Sequence, residues 1–224
     1  MDRLLIFDLD GTLVDTNLDL IPALNHAIAH EKVEPVSTDE VGHVVGRGAR
    51  QMIEKAFELR SRETPANIDG LHERFLTHYE AHIADRSRPY PGVLQAMDRL
   101  ASEGWTFAVC TNKLERLSRK LLDALGMTDR FAAIVGADSV PSRKPDPDHI
   151  RLTVRAAGAD VKRAVMVGDS INDIKAAKAV PMPVVAVDFG YTDVPVEELG
   201  PDVIISHYDE LPDVAERLMP HGRT

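Results

Sequence analysis

Six short apolar runs recur along the chain: LLIFDL at 4–9, TFAVC at 106–110, AAIVG at 132–136, AVMVG at 164–168, PVVAV at 183–187 and DVIIS at 202–206. They are continuously apolar rather than alternating, which is the pattern of strands covered on both faces. Helical periodicity lies between them. Leu114, Leu117, Leu121 and Leu125 share one helix face, as do Val93, Leu94, Met97 and Leu100. Alternating strands and helices predict an α/β fold with a doubly wound parallel sheet.

The alternation breaks once. Between the first run and Pro91 there is no convincing strand, and the periodicity is helical throughout. Ala49, Met52, Ile53, Ala56 and Phe57 form one stripe, and Ile68, Leu71, Phe75, Tyr79 and Ile83 form another. Ser37 to Glu40 has the spacing of a capping box. Pro22 fits a helix only within its first turn or as a kink. An all-helical insertion after the first strand makes a second subdomain over the strand ends. The expected division is a core of residues 1–15 and 86–224 with a helical cap of residues 16–85. Hinges are expected at Asp15 to Asn17 and within DRSRPYPG at 85–92.

At 224 residues, 44% hydrophobic and 28% charged, the chain has the composition of an ordinary globular protein, neither disordered nor membrane-embedded. The excess of 36 acidic over 26 basic residues argues against nucleic acid as a partner. No apolar stretch approaches the ~20 residues of a membrane span, and the amino terminus lacks the pattern of a secretory signal. A lone cysteine, Cys110, rules out internal disulfides and cysteine-rich zinc sites, and a cytoplasmic location is the expectation. Within FAVC, with no neighbouring base, Cys110 reads as a core residue rather than a nucleophile.

In doubly wound sheets ligands bind at the carboxyl ends of the strands. The first strand ends in DLDGT with Asp8 and Asp10, the second in Thr111 and Asn112, and the fourth in GDSIND with Asp169 and Asp173. Lys144 follows the third, in SRKPDPD. A turn at Gly11 lets Asp8 and Asp10 reach one pocket. Adding Asp169 crowds three carboxylates, which a hard cation such as magnesium would relieve. Lys144 would contact a phosphate directly. These parts suit phosphoryl transfer with a carboxylate nucleophile and a second carboxylate as acid and base. Plainer roles stand beside some of them: Asp173 and Asn112 each have helix-capping spacing, and Lys144 could be a solvated loop charge.

DLDGTLVDT, the Thr111 strand end, Lys144-Pro145 and GDSIND together resemble the four ordered motifs of the haloacid dehalogenase superfamily, over essentially the whole chain. The resemblance implies a Rossmann-like core with a cap, and a magnesium-dependent phosphatase acting through an aspartyl-phosphate. By the same likeness Asp8 is the nucleophile and a magnesium ligand. Asp10 is the acid/base and also a ligand, through its backbone carbonyl. Thr111, Asn112 and Lys144 bind phosphate, Asp169 ligates magnesium, and Asp173 supports the site from behind.

Asp10 separates a phosphatase from a dehalogenase, whose halide leaving group needs no proton. A phosphonatase would need a cap lysine at the site, and neither Lys32 nor Lys55 lies in a loop that obviously faces it. The helical cap and the loop GHVVGRGAR look most similar to the phosphoglycolate phosphatase branch, making the expected partner a small phosphorylated metabolite. His43, Arg47 and Arg50 are candidates for binding its carboxylate, Arg47 foremost. Other sugar phosphates, nucleotides, pyrophosphate, a mutase activity or a silent metabolite-binding role remain as alternatives. The pairs His26/His30 and His78/His82 have i, i+4 spacing but no accompanying third ligand, so exposed helix faces are expected.

Overall fold

A computed structural model of the chain describes residues 3–192 and 194–220, without the side chains of His43 and Arg47. Eight strands run in chain order: β1 (Arg3–Phe7), β2 (Val14–Asp15), β3 (Arg88–Pro89), β4 (Trp105–Cys110), β5 (Ala133–Val135), β6 (Ala164–Gly168), β7 (Val184–Val187) and β8 (Val203–Ile205). The helices are α1 (Asn17–Ala29), α2 (Thr38–Val41), α3 (Ala49–Leu59), α4 (Ile68–Ala81), α5 (Val93–Ser102), α6 (Glu115–Ala124), α7 (Pro147–Ala156), α8 (Ile171–Lys178) and α9 (Leu211–Leu218).

The six predicted strands pair in one sheet of order β5-β4-β1-β6-β7-β8, parallel at every pairing. Side chains alternate across it. Leu5 and Phe7 face one core layer with Val93, Met97 and Leu100 of α5, Leu117 and Leu121 of α6, and Leu211 of α9. Leu4 and Ile6 face the other, with Ile150 and Val154 of α7 and Ile174 and Ala177 of α8. Both faces are thus buried, which is why the strands read as unbroken apolar runs. Cys110 belongs to the second layer and is fully buried; burial pushes its thiol up to about 12.

From β1 the chain builds outward to β4 and β5, then returns to the opposite side of β1 for β6, β7 and β8. The order therefore reverses at β1. A crevice opens there between the carboxyl ends of β4, β1 and β6, the strands that carry Thr111, Asp8 and Asp169 just beyond their ends.

Helices α1 to α4 fill the interval between β2 and β3, and both α1 and α3 pack on α4. Met52, Ile53, Ala56 and Phe57 of α3, and Leu71, Phe75 and Tyr79 of α4, are their buried faces. The Ser37–Glu40 capping box is present, with each partner's backbone N–H bonded to the other's side chain. Pro22 lies in the second turn of α1 rather than the first, so the Leu18 carbonyl loses its intrahelical donor.

One expectation fails here. The interval holds no strand of its own, but its two ends pair as an antiparallel ribbon, with Val14 opposite Pro89 and Asp15 opposite Arg88. Two-residue strands carry no readable period. Asp19, in the first turn of α1, fastens the same place: its Oδ2 accepts from the Ser87 N–H and hydroxyl, both at 2.7 Å.

Candidate active site

At the end of β1 the chain turns at Gly11, which takes φ +80°, a conformation glycine reaches without strain. This turn brings Asp8 and Asp10 to the same cavity, of about 380 Å³, between the strand ends and helices α1, α3 and α4. The carboxyls diverge within it. Asp8 Oδ1 accepts from the Leu9 N–H at 2.7 Å and lies 3.0 Å from Lys144 Nζ. Asp10 Oδ1 accepts from Lys113 Nζ at 2.8 Å.

The crowded carboxylates differ from the expected trio. Asp8, Asp169 and Asp173 each bring a carboxylate oxygen within 4.8 Å of the others', and all three are buried; the Asp10 side chain, paired with Lys113, is not in the cluster. Asp169 Oδ1 accepts from the Thr12 hydroxyl at 2.9 Å, and its Oδ2 from the Tyr191 N–H at 2.6 Å. Lys144 Nζ donates to Asp173 Oδ1 and to the Cys110 carbonyl, each at 2.6 Å. Lys144 is only 2% exposed, so a solvated loop charge is the wrong description.

Electrostatics define what the cluster lacks. Burial, partly offset by Lys144, pushes the Asp8 carboxyl up to about 7, with Asp173 and Asp10 adding to the rise. Burial, then the charges of Asp173 and Asp8, push Asp169 well above the usual carboxylate range. Burial opposes the charge on Lys144, yet Asp173 and Asp8 outweigh it and hold the ammonium above its ordinary value. One lysine does not neutralise three buried acids. Oxygen donors with excess negative charge fit a hard divalent cation held by Asp8 and Asp169, with Asp173 beside them.

Asp173 serves two neighbours at once. Its Oδ2 accepts from the Ser170 N–H at 3.0 Å and hydroxyl at 2.6 Å, fixing the start of α8, while its Oδ1 holds Lys144. Asn112 does not cap a helix. The Glu115 N–H at the start of α6 goes to Asp138 Oδ1 at 2.7 Å, and Asn112 Nδ2 donates to the Lys144 carbonyl at 3.0 Å, tying two loops of the site together. Thr111 is buried with its hydroxyl accepting from the Lys113 N–H at 3.1 Å, and both Thr111 and Asn112 line the cavity. The side chains of Arg47 and His43 lie outside the described residues, although Gly46 and Gly48 beside Arg47 line the cavity. Arg50 lines it too, but is exposed and paired with Asp69.

Four contributors escaped the sequence reading. Lys113 lies directly after Asn112 at a strand end already singled out, so position alone could have flagged it. Tyr191 follows β7, a strand end that was not singled out although Asp188 stands there; its hydroxyl donates to Asp15 Oδ1 at 2.5 Å and accepts from the Asn17 N–H at 3.0 Å. Tyr79 of α4 and Thr12 were read only as a core position and as part of a motif. Away from the site, His26 of α1 stacks on His78 of α4 with ring centroids 4.1 Å apart, so that pair packs the two helices together.

The sequence profile of the haloacid dehalogenase-like hydrolases matches residues 5–187. A phosphoglycolate phosphatase of Agrobacterium fabrum is 53% identical, with 99% of this chain and 96% of that protein aligned. Another from Mesorhizobium japonicum is 49% identical over 96% of each. The crystal structure of a predicted phosphoglycolate phosphatase from Haemophilus somnus superposes with a TM-score of 0.89 at 29% identity, covering 95% of this chain and 97% of that one. No helix among the described residues is long and apolar enough to cross a membrane.

Proposed function

Given that the chain belongs to the haloacid dehalogenase-like hydrolases and is a phosphoric monoester hydrolase, we propose that its substrate is 2-phosphoglycolate, its cofactor magnesium and its nucleophile Asp8. The observation that carries the reading is the opposed environment of two neighbouring carboxylates on one cavity: Asp8 faces Lys144 and the acid cluster, and Asp10 faces Lys113. Such a division gives each acid its own task. The substrate comes from the relatives, two of which carry that activity as their name. A lone, fully buried cysteine is in keeping with a cytoplasmic setting.

Asp8 attacks phosphorus as the bond from phosphorus to the ester oxygen breaks, leaving an aspartyl-phosphate and a glycolate oxygen that takes its proton from Asp10. Water then attacks the same phosphorus, Asp10 receives the water's proton, and Asp8 is released with inorganic phosphate. Lys144 stays cationic beside Asp8 and offsets charge on the phosphoryl oxygens. The Thr111 hydroxyl and the Asn112 N–H are the donors at the strand end that hold the phosphate in line. Thr12 and Tyr191 fix the orientation of Asp169. Asp8 and Asp169 would hold a divalent ion, which would supply the positive charge that lets a carboxylate approach a phosphate dianion.

The test is steady-state hydrolysis of a panel of small phosphate esters, with magnesium or with EDTA, by the wild type and by Asp8→Asn. The expected result is magnesium-dependent turnover with 2-phosphoglycolate preferred and Asp8→Asn at background. Preference for a hexose phosphate or nucleotide by about a hundredfold in kcat/KM, about 2.7 kcal/mol of transition-state binding, would overturn the substrate.

A further inference from the structure

Lys113 is buried at the end of β4, its side chain 7% exposed. It donates to Asp10 Oδ1 at 2.8 Å, and its Nζ stands 4.5 Å from the ring centroid of Tyr79, which belongs to α4 of the cap. Among the described side chains that line the cavity, the other cations are Arg50 and Arg143, both exposed, and His72, which burial and then Arg50 hold below its ordinary pKa and so uncharged at neutral pH. Lys113 is thus the shielded cation there. Burial opposes its charge, but Asp10 and Tyr79 outweigh that and keep the ammonium above its usual range.

A second observation points the same way. The Tyr79 hydroxyl is buried, on a residue lining the cavity, and has no hydrogen-bond partner among the described residues. Burial pushes it up to about 12, so it remains a proton donor. A buried hydroxyl without a partner is unfavourable unless something arriving in the cavity accepts from it. Lys113 has three N–H donors and gives one to Asp10. The remaining donors of this pair suit an anion.

Position identifies the anion. If Asp10 protonates the ester oxygen, then Lys113, in contact with Asp10, stands next to whatever is attached one carbon beyond that oxygen. In a 2-phospho carboxylic acid this is the carboxylate. We propose that the Lys113 ammonium and the Tyr79 hydroxyl form the receptor for a carboxylate one carbon removed from the phosphate ester. It is assembled from the core and the cap, and it selects the substrate class of 2-phospho carboxylates. The assignment deepens the phosphatase reading and rests on Asp10 being the acid of the reaction. Phosphate esters with an uncharged group in that place would leave two buried donors unanswered, which is the strongest way a pocket rejects a near-isostere.

The test compares 2-phosphoglycolate with ethyl phosphate, in which a methyl replaces the carboxylate. Binding of both is measured by calorimetry with magnesium on an Asp8→Asn background, alone and combined with Lys113→Met, Lys113→Arg or Tyr79→Phe. Turnover of both esters is measured in the wild type. The expected result is that Lys113→Met reduces the affinity ratio between the two ligands by at least ~30-fold, as for loss of a buried charge pair. Tyr79→Phe, which removes only an oxygen and keeps the packing, should reduce it by ~5- to 20-fold. Lys113→Arg should recover part of it. If Lys113→Met and Tyr79→Phe weaken both ligands by the same factor, the carboxylate receptor is wrong and Lys113 serves only to hold Asp10. A wild type inactive on both esters, with the affinity ratio still dependent on Lys113 and Tyr79, would instead overturn the phosphatase reading alone.

Discussion

Glycine at 190 shows how closely single residues define the acid cluster. A Cβ there would lie 2.1 Å from the Asp169 Cβ, and one at Gly11 would lie 2.5 Å from Asp169 Oδ2. Neither contact can be relieved by rotating a flexible tip, because Asp169 is pinned by Thr12 and by the Tyr191 N–H. Gly190→Ala should therefore displace Asp169, lower kcat at least ~100-fold and cost ~1–3 kcal/mol of stability. Turnover under saturating magnesium and the urea midpoint check it; unchanged kcat would mean that Asp169 has room to move. At this scale the sequence was readable where chemistry advertises itself. Asp8, Asp10, Thr111, Asn112, Lys144, Asp169 and Asp173 stand in polar clusters at strand ends, and the structure brings them to one crevice. What Lys113 and Tyr191 contact was illegible for a physical reason. A lysine and a tyrosine are common surface residues, and only the folded chain turns one toward Asp10 and the other toward Asp169 and Asp15.

Helix α7 illustrates how an element serves a site it does not enter. Its His149 is fully buried, with Nδ1 accepting from the Lys144 N–H at 3.2 Å and Nε2 lying 3.3 Å from the Val135 carbonyl. Burial, reinforced by Lys144, lowers the imidazole to about 4. The folded state therefore binds fewer protons here than the unfolded state, whose histidine titrates near 6.5. Stability from this group is complete above pH ~6.5 and is lost as pH falls through 4, on the order of 2 to 3 kcal/mol in all. Urea midpoints from pH 4 to 7 with magnesium present should show this slope, and His149→Gln should flatten it. The elements themselves were the most legible layer. Continuous apolar runs marked all six sheet strands because both faces are covered, and the stripes on α3 and α4 are the faces those helices bury. The β2–β3 ribbon was hidden because two residues per strand carry no pattern, and the start of α1, hence the place of Pro22 in its second turn, was not legible because no side-chain cap marks it.

For the molecule as a whole, the buried acids make the metal-free protein sensitive to alkali. A carboxyl raised to about 7 in the fold, as Asp8 is, binds a proton that the unfolded chain releases near 4. Its contribution is complete below pH ~4 and is lost as pH rises through 7, the reverse of the His149 effect. Asp169 acts in the same sense. A divalent ion held by these acids would remove the penalty by replacing the proton, so stabilisation by magnesium should be larger at high pH. Thermal unfolding in EDTA and in magnesium at pH 5.5 and pH 8 should give an increment at least ~1 kcal/mol greater at pH 8. Equal increments at both would mean that the acids bind no ion.

Paired strands at the base of the helical insertion have an evolutionary reading. Asp15 and Arg88 sit opposite each other, so the excursion that begins at one ends at the other, and the chain leaves and re-enters through one short ribbon. Whatever is threaded between those two positions can grow, shrink or be exchanged without shifting the register of any core strand. A lineage could in this way inherit the reaction intact while trying one substrate after another.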